Sequence, residues 1–303
     1  MAVTKATTAS PAPGRASGET RTALLFIAPA MLGYLAFLVW PTLRGVYLSL
    51  TSFDLLSPAK WVGLDNYRRL VNDPVFWDSL GVTLHYVVVN IGVQTVVALL
   101  IAVLMHRLTS STVLRGVVLA PYLVSNVVAG IVWLWILDTQ LGVGNEIIEW
   151  LGFERIAFFG DASWAIPTIA LVNVWRHVGY TALLIFAGLQ SIPPTVYEAG
   201  RVDGASEWRM FRSITLPLLR PILSLVLIIT VIGSFQVFDT VSVTTDGKPA
   251  NATNVLQLYV YDLAFDRLQF GYASAISVAL MLVLTAITVF QYRLMRAGRT
   301  DLG

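Results

Sequence analysis

Apolar stretches of membrane-crossing length, each bounded by charged residues, organise most of this chain. Between Arg21 and Arg44 lie 22 uncharged residues, between Asp78 and Arg107 28, and between Arg115 and Asp138 22. Arg220 to Asp239 encloses 18 more, and Arg267 to Arg293 encloses 25. About 18 or more residues of this kind suffice to cross the hydrocarbon. A segment in that environment must satisfy its own backbone hydrogen bonds, so each is expected to be a helix. Runs such as LVLIITVIGSF lack the period of two that strands require. A sixth run, Trp164 to Leu189, is interrupted only by Arg176 and His177. Charge at a helix centre costs about 2.5–3.5 kcal/mol on insertion, less than the flanking apolar residues return. It counts as the fourth span.

The expected fold is therefore all-α and integral to the membrane, with six transmembrane helices in a domain of residues 22–293. The spans fall near 22–43, 80–106, 116–137, 164–189, 221–238 and 268–292. Residues 1–21, rich in Ala, Thr, Ser, Pro and Gly, read as a disordered tail, and 294–303 as a second tail. The first apolar run is too long for a signal peptide and has no small-residue cleavage site after it, so it reads as a retained helix.

Composition agrees: 56% of residues are hydrophobic, 13% charged, and the mean hydropathy is +0.71. A soluble domain carries nearer 25% charge. The net charge of +2 is small and its basic residues are dispersed, which argues for lipid and against nucleic acid as a partner. Cysteine is absent, which removes disulfides, Cys-ligated zinc, iron–sulfur clusters and a thiol nucleophile. His85, His106 and His177 show no metal-ligand spacing, so no metal site is expected. The tails and the 107–115, 190–220 and 293–303 connections gather 12 basic residues against five acids. The opposite side gathers seven against thirteen. By the positive-inside bias both termini are expected to be cytoplasmic.

The connection 190–220 is patterned as two short helices. Ser191 is expected to cap the first, with Pro193 and Pro194 in its opening turn and Gly204 as the left-handed residue ending it. Ser206 is expected to cap the second, with Glu207 at its positive dipole end. Pro217 and Pro221 then separate it from the fifth span. Trp208, Phe211 and Ile214 form an apolar stripe, suited either to lipid headgroups or to a docking partner.

Glu198, Ala199 and Gly200, then Asp203 and Gly204, then Ile214, Leu216 and Pro217 follow the spacing EAA-x3-G-x9-I-x-L-P, with glycine for the second alanine. This loop resembles that of ABC importer permeases of the maltose or carbohydrate type. GLDNYRRLVNDPVFWDSLGVTL and FDTVSVTTDGKPANATNVLQLYVYDLAF resemble that family's external stretches, although TGGGP is altered to Thr245–Pro249. The ending GYASAISVAL…QYRLMR resembles the first of its two permease types. The resemblance implies a multi-pass protein of the bacterial plasma (inner) membrane, paired with a distinct second permease, two ATPase subunits and an extracytoplasmic solute-binding protein. Glu198, Ala199, Gly200, Asp203, Gly204, Ile214, Leu216 and Pro217 would then couple to an ATPase. The chain lacks GxxxxGK[ST], so ATP and Mg would be used by the partner and no cofactor held here. It is read as a transport subunit and not an enzyme, translocating a sugar or polyol-derived solute by ATP-driven alternating access.

Polar residues at membrane depth mark a candidate path for that solute. Asn173, Arg176, His177 and Tyr180 fall on one broad face of the fourth span. Asn173, Trp175 and Tyr180 match the stretch that holds sugar in maltose-type permeases, whereas Arg176 and His177 replace uncharged residues there. Arg176 suits an anionic or phosphorylated solute such as a glycerophosphodiester; alternatively it pairs with Asp239 or Asp161, or snorkels. Gln236 with Asp239, and Asn126 beside Ser125 on the third helix, are further candidates. Asn90 and Gln94 are equally suited to bonding between helices. Trp133 and Trp135 fit either a sugar or an interfacial belt. A lipid-linked-substrate enzyme and an ion-coupled secondary transporter are the alternatives; the latter would favour inverted repeats, and the two halves show no similarity.

Overall fold

The computed structural model describes residues 15–108 and 111–296. Residues 1–14 and 297–303, which carry most of both expected tails, lie outside the described residues. Five helices are long and apolar enough to cross a membrane: Thr22–Ser49, Pro74–Leu108, Ala162–Gln190, Glu207–Phe235 and Phe270–Arg293. A bent pair, Thr112–Leu123 with Asn126–Ile136, makes a sixth if it is one span. Helix already begins at Arg15, within the stretch expected to be disordered. The one departure from all-helical structure among the described residues is a two-residue antiparallel ladder, Thr51 opposite Trp61 and Ser52 opposite Lys60.

The second and fourth spans form the centre of the bundle. Along the second, Ser79, Thr83, Tyr86, Val87, Asn90, Gln94, Ala98, Ala102 and Met105 are buried at spacings of three and four, one stripe of a helix. The fourth opposes it with Ala182, Ile185, Phe186 and Leu189 around Ala98 and Ala102. Small residues let the backbones approach, and close packing replaces the hydrophobic effect as the source of cohesion in lipid. Gly188 serves the same end against the fifth span, where a Cβ would press on Ile222 and Leu219.

The third span was expected to run unbroken from 116 to 137. Instead it bends by 92°. Pro121 sits in a 3-10 turn, Ala120–Leu123, and Val124 and Ser125 are extended, with ψ of 138° and 154°. Ser125 then caps a new helix by accepting from the Val128 N–H at 3.2 Å. Ser125 and Asn126 therefore do not share a helix face; they are the cap and first residue of a restart. The reason is local: a proline supplies no donor, and a serine offers the next turn a side-chain acceptor in place of a carbonyl.

The fifth span also differs from expectation. Pro217 and Pro221 do not separate it from the short helix before it, because helix is continuous from Glu207 to Phe235. A π turn, Phe211–Thr215, absorbs the disruption: the Leu216 N–H donates to the Phe211 carbonyl, one residue further back than usual. Pro217 follows in the first turn after it, where its missing donor matters least.

At one end of the bundle the connections are tied by a single carboxylate. Asp73, just before the second span, accepts from the Tyr259 and Tyr272 hydroxyls at 2.7 and 2.6 Å. The Arg69 guanidinium lies 3.9 Å from the centre of the Tyr272 ring. Partial burial pushes the Asp73 carboxyl up, but the two hydroxyls and the Val75 and Phe76 N–H groups outweigh it and hold it below 3.8. A depressed folded-state value means stabilisation that is complete above the unfolded value and lost as pH falls through the folded one. Asp73→Leu should thus lower stability by about 1–2 kcal/mol at neutral pH, discounted for partial exposure. Thermal unfolding of the assembled complex in detergent should show it, with the difference from the parent shrinking below pH 4; an unchanged midpoint at pH 7 contradicts this role for Asp73.

Candidate functional site

A cavity of about 330 Å³ opens between the second, third, fourth and fifth spans. Asn126, Asn173, His177, Tyr180, Gln236 and Asp239 all line it, so six of the seven candidate solute residues come together. Arg176 does not reach its wall. Asp239 is the one Asp, Glu, Lys or Arg among the lining residues.

The cavity is placed by the bundle's polar stitching. Asn90 donates to Ser234 Oγ at 2.9 Å and to Gln94 Oε1 at 3.3 Å. Gln94 donates to Thr181 Oγ1 at 2.8 Å, and Ser234 in turn to the Thr230 carbonyl at 2.7 Å. One chain of bonds thereby joins the second, fourth and fifth spans. Asn90 and Gln94 both bond between helices and line the cavity, the two roles the sequence left open. On the far wall Asn126 donates to Asp239 at 2.9 Å, linking the restart of the third span to the short helix Asp239–Thr244. Gly130 makes that packing possible, since a Cβ there would meet Val243 and Thr244. The Asn90 and Asn126 Oδ1 atoms are buried without a protein partner.

Aromatic rings complete the wall. Tyr122 stacks on Tyr180 with centroids 4.7 Å apart and planes 12° from parallel, and meets His177 edge-on. Trp175 points elsewhere, against Trp133. Trp135 is exposed. Sequence reasoning missed Tyr122, Thr181, Thr230 and Thr240, which the cavity includes. Tyr122 was detectable in principle, from Pro121 and Ser125 flanking it as a helix stop and a helix start.

Arg176 forms none of its expected ion pairs: among the described residues neither Asp239 nor Asp161 lies within salt-bridge distance of it. Its Nε donates to the Val124 carbonyl at 2.5 Å and its Nη1 to His177 Nε2 at 2.7 Å. Asp161 instead caps the fourth span through the Ser163 N–H at 2.7 Å.

At the other end of the bundle, Pro194–Val202 and the start of the long fifth helix pack as an elbow. Ser191 does not cap the first helix; its hydroxyl donates to the Gly188 carbonyl and finishes the fourth span, while Pro193 precedes the new helix without a side-chain cap. Gly204 has φ of +72°, the left-handed value that favours glycine. Ser206 accepts from the Arg209 N–H at 3.3 Å. Gly200 is buried against Met210 and Ile214, where a Cβ would lie 3.1 Å from Ile214 Cδ1, so glycine in place of the second alanine lets the two helices close. Tyr197 meets Thr215 at 3.1 Å, and Glu207 pairs with Arg107 of the second span at 2.8 Å. Glu198 lines a cleft of about 500 Å³ with Arg107, Arg201 and Glu207. Ala199 and Asp203 lie between Glu198 and Gly204, and Leu216 and Pro217 close the π turn.

Residues 94–299 match the family described as binding-protein-dependent transport system inner membrane component. The chain is 33% identical over 282 residues to the sulfoquinovosyl glycerol transport system permease protein SmoG of Agrobacterium fabrum, covering 92% of each. It is 32% identical to the trehalose/maltose transport system permease protein MalF of Thermococcus litoralis, over 93% of this chain and 96% of that one. A crystal structure of a bacterial ABC transporter that imports the acidic polysaccharide alginate contains a chain of the same fold. Its TM-score is 0.81 at 24% identity, covering 94% of this chain and 100% of that one. The chain belongs to the family of binding-protein-dependent transport system inner membrane components.

Proposed function

We propose that this permease subunit of an ABC importer carries a neutral carbohydrate or polyol through the cavity between its second, third, fourth and fifth spans. The observation that carries the reading is the chemistry of the wall. Amides and hydroxyls dominate it, Asp239 is its one full charge, and Arg176 is engaged elsewhere. Amide and hydroxyl groups of the wall, such as those of Asn173 and Gln236, suit the hydroxyls of a sugar. Tyr122 and Tyr180, stacked on each other, add aromatic surface to the wall, which suits its C–H groups. An anion would be repelled by the Asp239 carboxylate, with no Lys or Arg among the lining residues to offset it. Sulfoquinovosyl glycerol and trehalose/maltose name the solutes of two relatives, so carbohydrate is supported as the class; the first is a sulfonated anion, and neutrality therefore rests on the chemistry of the wall alone. The glycerophosphodiester suggested by Arg176 loses its main support, because that guanidinium does not reach the wall.

Family membership sets aside the lipid-linked-substrate enzyme and the secondary transporter. The partners that this family implies are a second permease, two ATPase subunits using ATP and Mg, and an extracytoplasmic binding protein. Glu198, Ala199, Gly200, Asp203, Gly204, Ile214, Leu216 and Pro217 would form the coupling elbow, on the side that the surrounding basic residues favour as cytoplasmic. Its rigidity supports this role: a left-handed glycine, a serine cap and a glycine-mediated helix contact fix the angle of the elbow.

Two outcomes are expected in proteoliposomes holding the whole transporter. Asp239→Asn should reduce uptake of the carbohydrate that the cognate binding protein delivers by about tenfold, chiefly through KM, as one charge-assisted hydrogen bond is weakened. A rise in uptake after the same change identifies an anionic solute and overturns the neutral reading. Glu198→Arg with Gly204→Val should leave the complex assembled but abolish stimulation of ATP hydrolysis by the binding protein. Coupled hydrolysis and uptake at the parental rate would remove the elbow from the mechanism.

A further inference from the structure

The break in the third span creates a backbone problem at membrane depth. In an unbroken helix the Val124 carbonyl would accept from the Val128 N–H. Here that N–H goes to Ser125 Oγ. A carbonyl without a donor costs several kcal/mol in hydrocarbon. On the neighbouring helix Arg176 carries a charge that is itself costly there unless bonded. The two meet, Arg176 Nε donating to the Val124 carbonyl at 2.5 Å.

A second nitrogen of the guanidinium is held as well. Arginine has donors only, so at the 2.7 Å contact His177 Nε2 must be the acceptor. The His177 proton then sits on Nδ1 and is donated to the Asn173 carbonyl at 3.0 Å. The same guanidinium lies 5.3 Å from the centre of the Tyr122 ring, which also stacks on Tyr180. Just before the break, Gly179 approaches Val118 so closely that any Cβ would collide with the Val118 carbonyl oxygen.

We infer that Arg176 is a positioning residue: it clamps the broken third span to the fourth, setting Tyr122 as a wall of the cavity without touching the solute. The inference rests on the cavity being the solute path, but the geometry of the clamp can be tested apart from transport. The chain has no cysteine, so a Tyr122→Cys, Tyr180→Cys pair reports this one contact. In membranes carrying the full transporter, the fraction of inserted protein joined by a short bifunctional thiol reagent is measured.

Arg176→Leu should lower that fraction by about threefold or more, since one charge-assisted bond is lost and a carbonyl is orphaned. Arg176→Lys, with one charged donor but no fork, should restore at least about half. A role in stability alone would lower the amount of inserted protein and not the fraction joined. Should the leucine variant fail to insert, Arg176→Gln, which keeps a neutral donor, supplies the comparison and should fall between parent and leucine.

An unchanged fraction in the leucine or glutamine variant overturns the inference. So does an intact cross-link together with a loss of uptake confined to sn-glycerol 3-phosphate and sparing maltose, the uptake being measured in the Arg176 variant that keeps Tyr122 and Tyr180, because that pattern belongs to a solute ligand. Absence of all uptake in the parent would count against the transport path and leave the cross-link result standing.

Discussion

Inside a bilayer no water is present to accept or donate, so every polar group must be answered by another part of the protein. That constraint organises this permease more than its apolar packing does. Asn90, Gln94, Thr181 and Ser234 answer one another across three spans, and in doing so they fix where the cavity lies. Asn126 and Asp239 do the same on the opposite wall. The bonds that hold the helices and the groups that line the cavity are largely the same residues. A change to one therefore perturbs both, and the effects of substitutions around the cavity should be far from additive.

The spans were legible because the signal is strong and of the right kind. Charged residues bracket each run, and a stretch of about 20 apolar residues has essentially one physical solution in lipid. The elbow was legible in part for a different reason. Its glycine and serine occupy positions that demand a left-handed backbone and an N-cap, and Gly204 and Ser206 take those roles. Ser191 and Pro217 went otherwise because the same residue types serve either end of a helix. A serine can finish one helix as well as begin the next, and a proline is harmless if a π turn precedes it. The break in the third span lay within the sequence as Pro121 and Ser125, but uniform hydropathy across it masked the change of direction.

The cavity shows what periodicity can and cannot give. Helical spacing put Asn173, His177 and Tyr180 on one face, and they line the cavity together. The same spacing put Arg176 with them, and it turned to Val124 instead. Spacing fixes the direction in which a side chain leaves its helix. What the side chain meets is decided by the neighbouring helix, here by a carbonyl that exists as an acceptor only because that helix is broken.

The fifth helix joins the two halves of the molecule. From Glu207 to Phe235 it is 29 residues of continuous helix, roughly 43 Å long at about 1.5 Å per residue. Its first turn carries Glu207, tied to Arg107, and its last carries Ser234, bonded to Asn90. Both of these partners belong to the second span, so the fifth helix is tied to it twice, near its end at Arg107 and near its middle at Asn90. The helix thus runs without a break from the elbow towards the cavity, its backbone ladder shifted only at the π turn. Its far end lies beside Gln236 and Asp239, at the cavity wall.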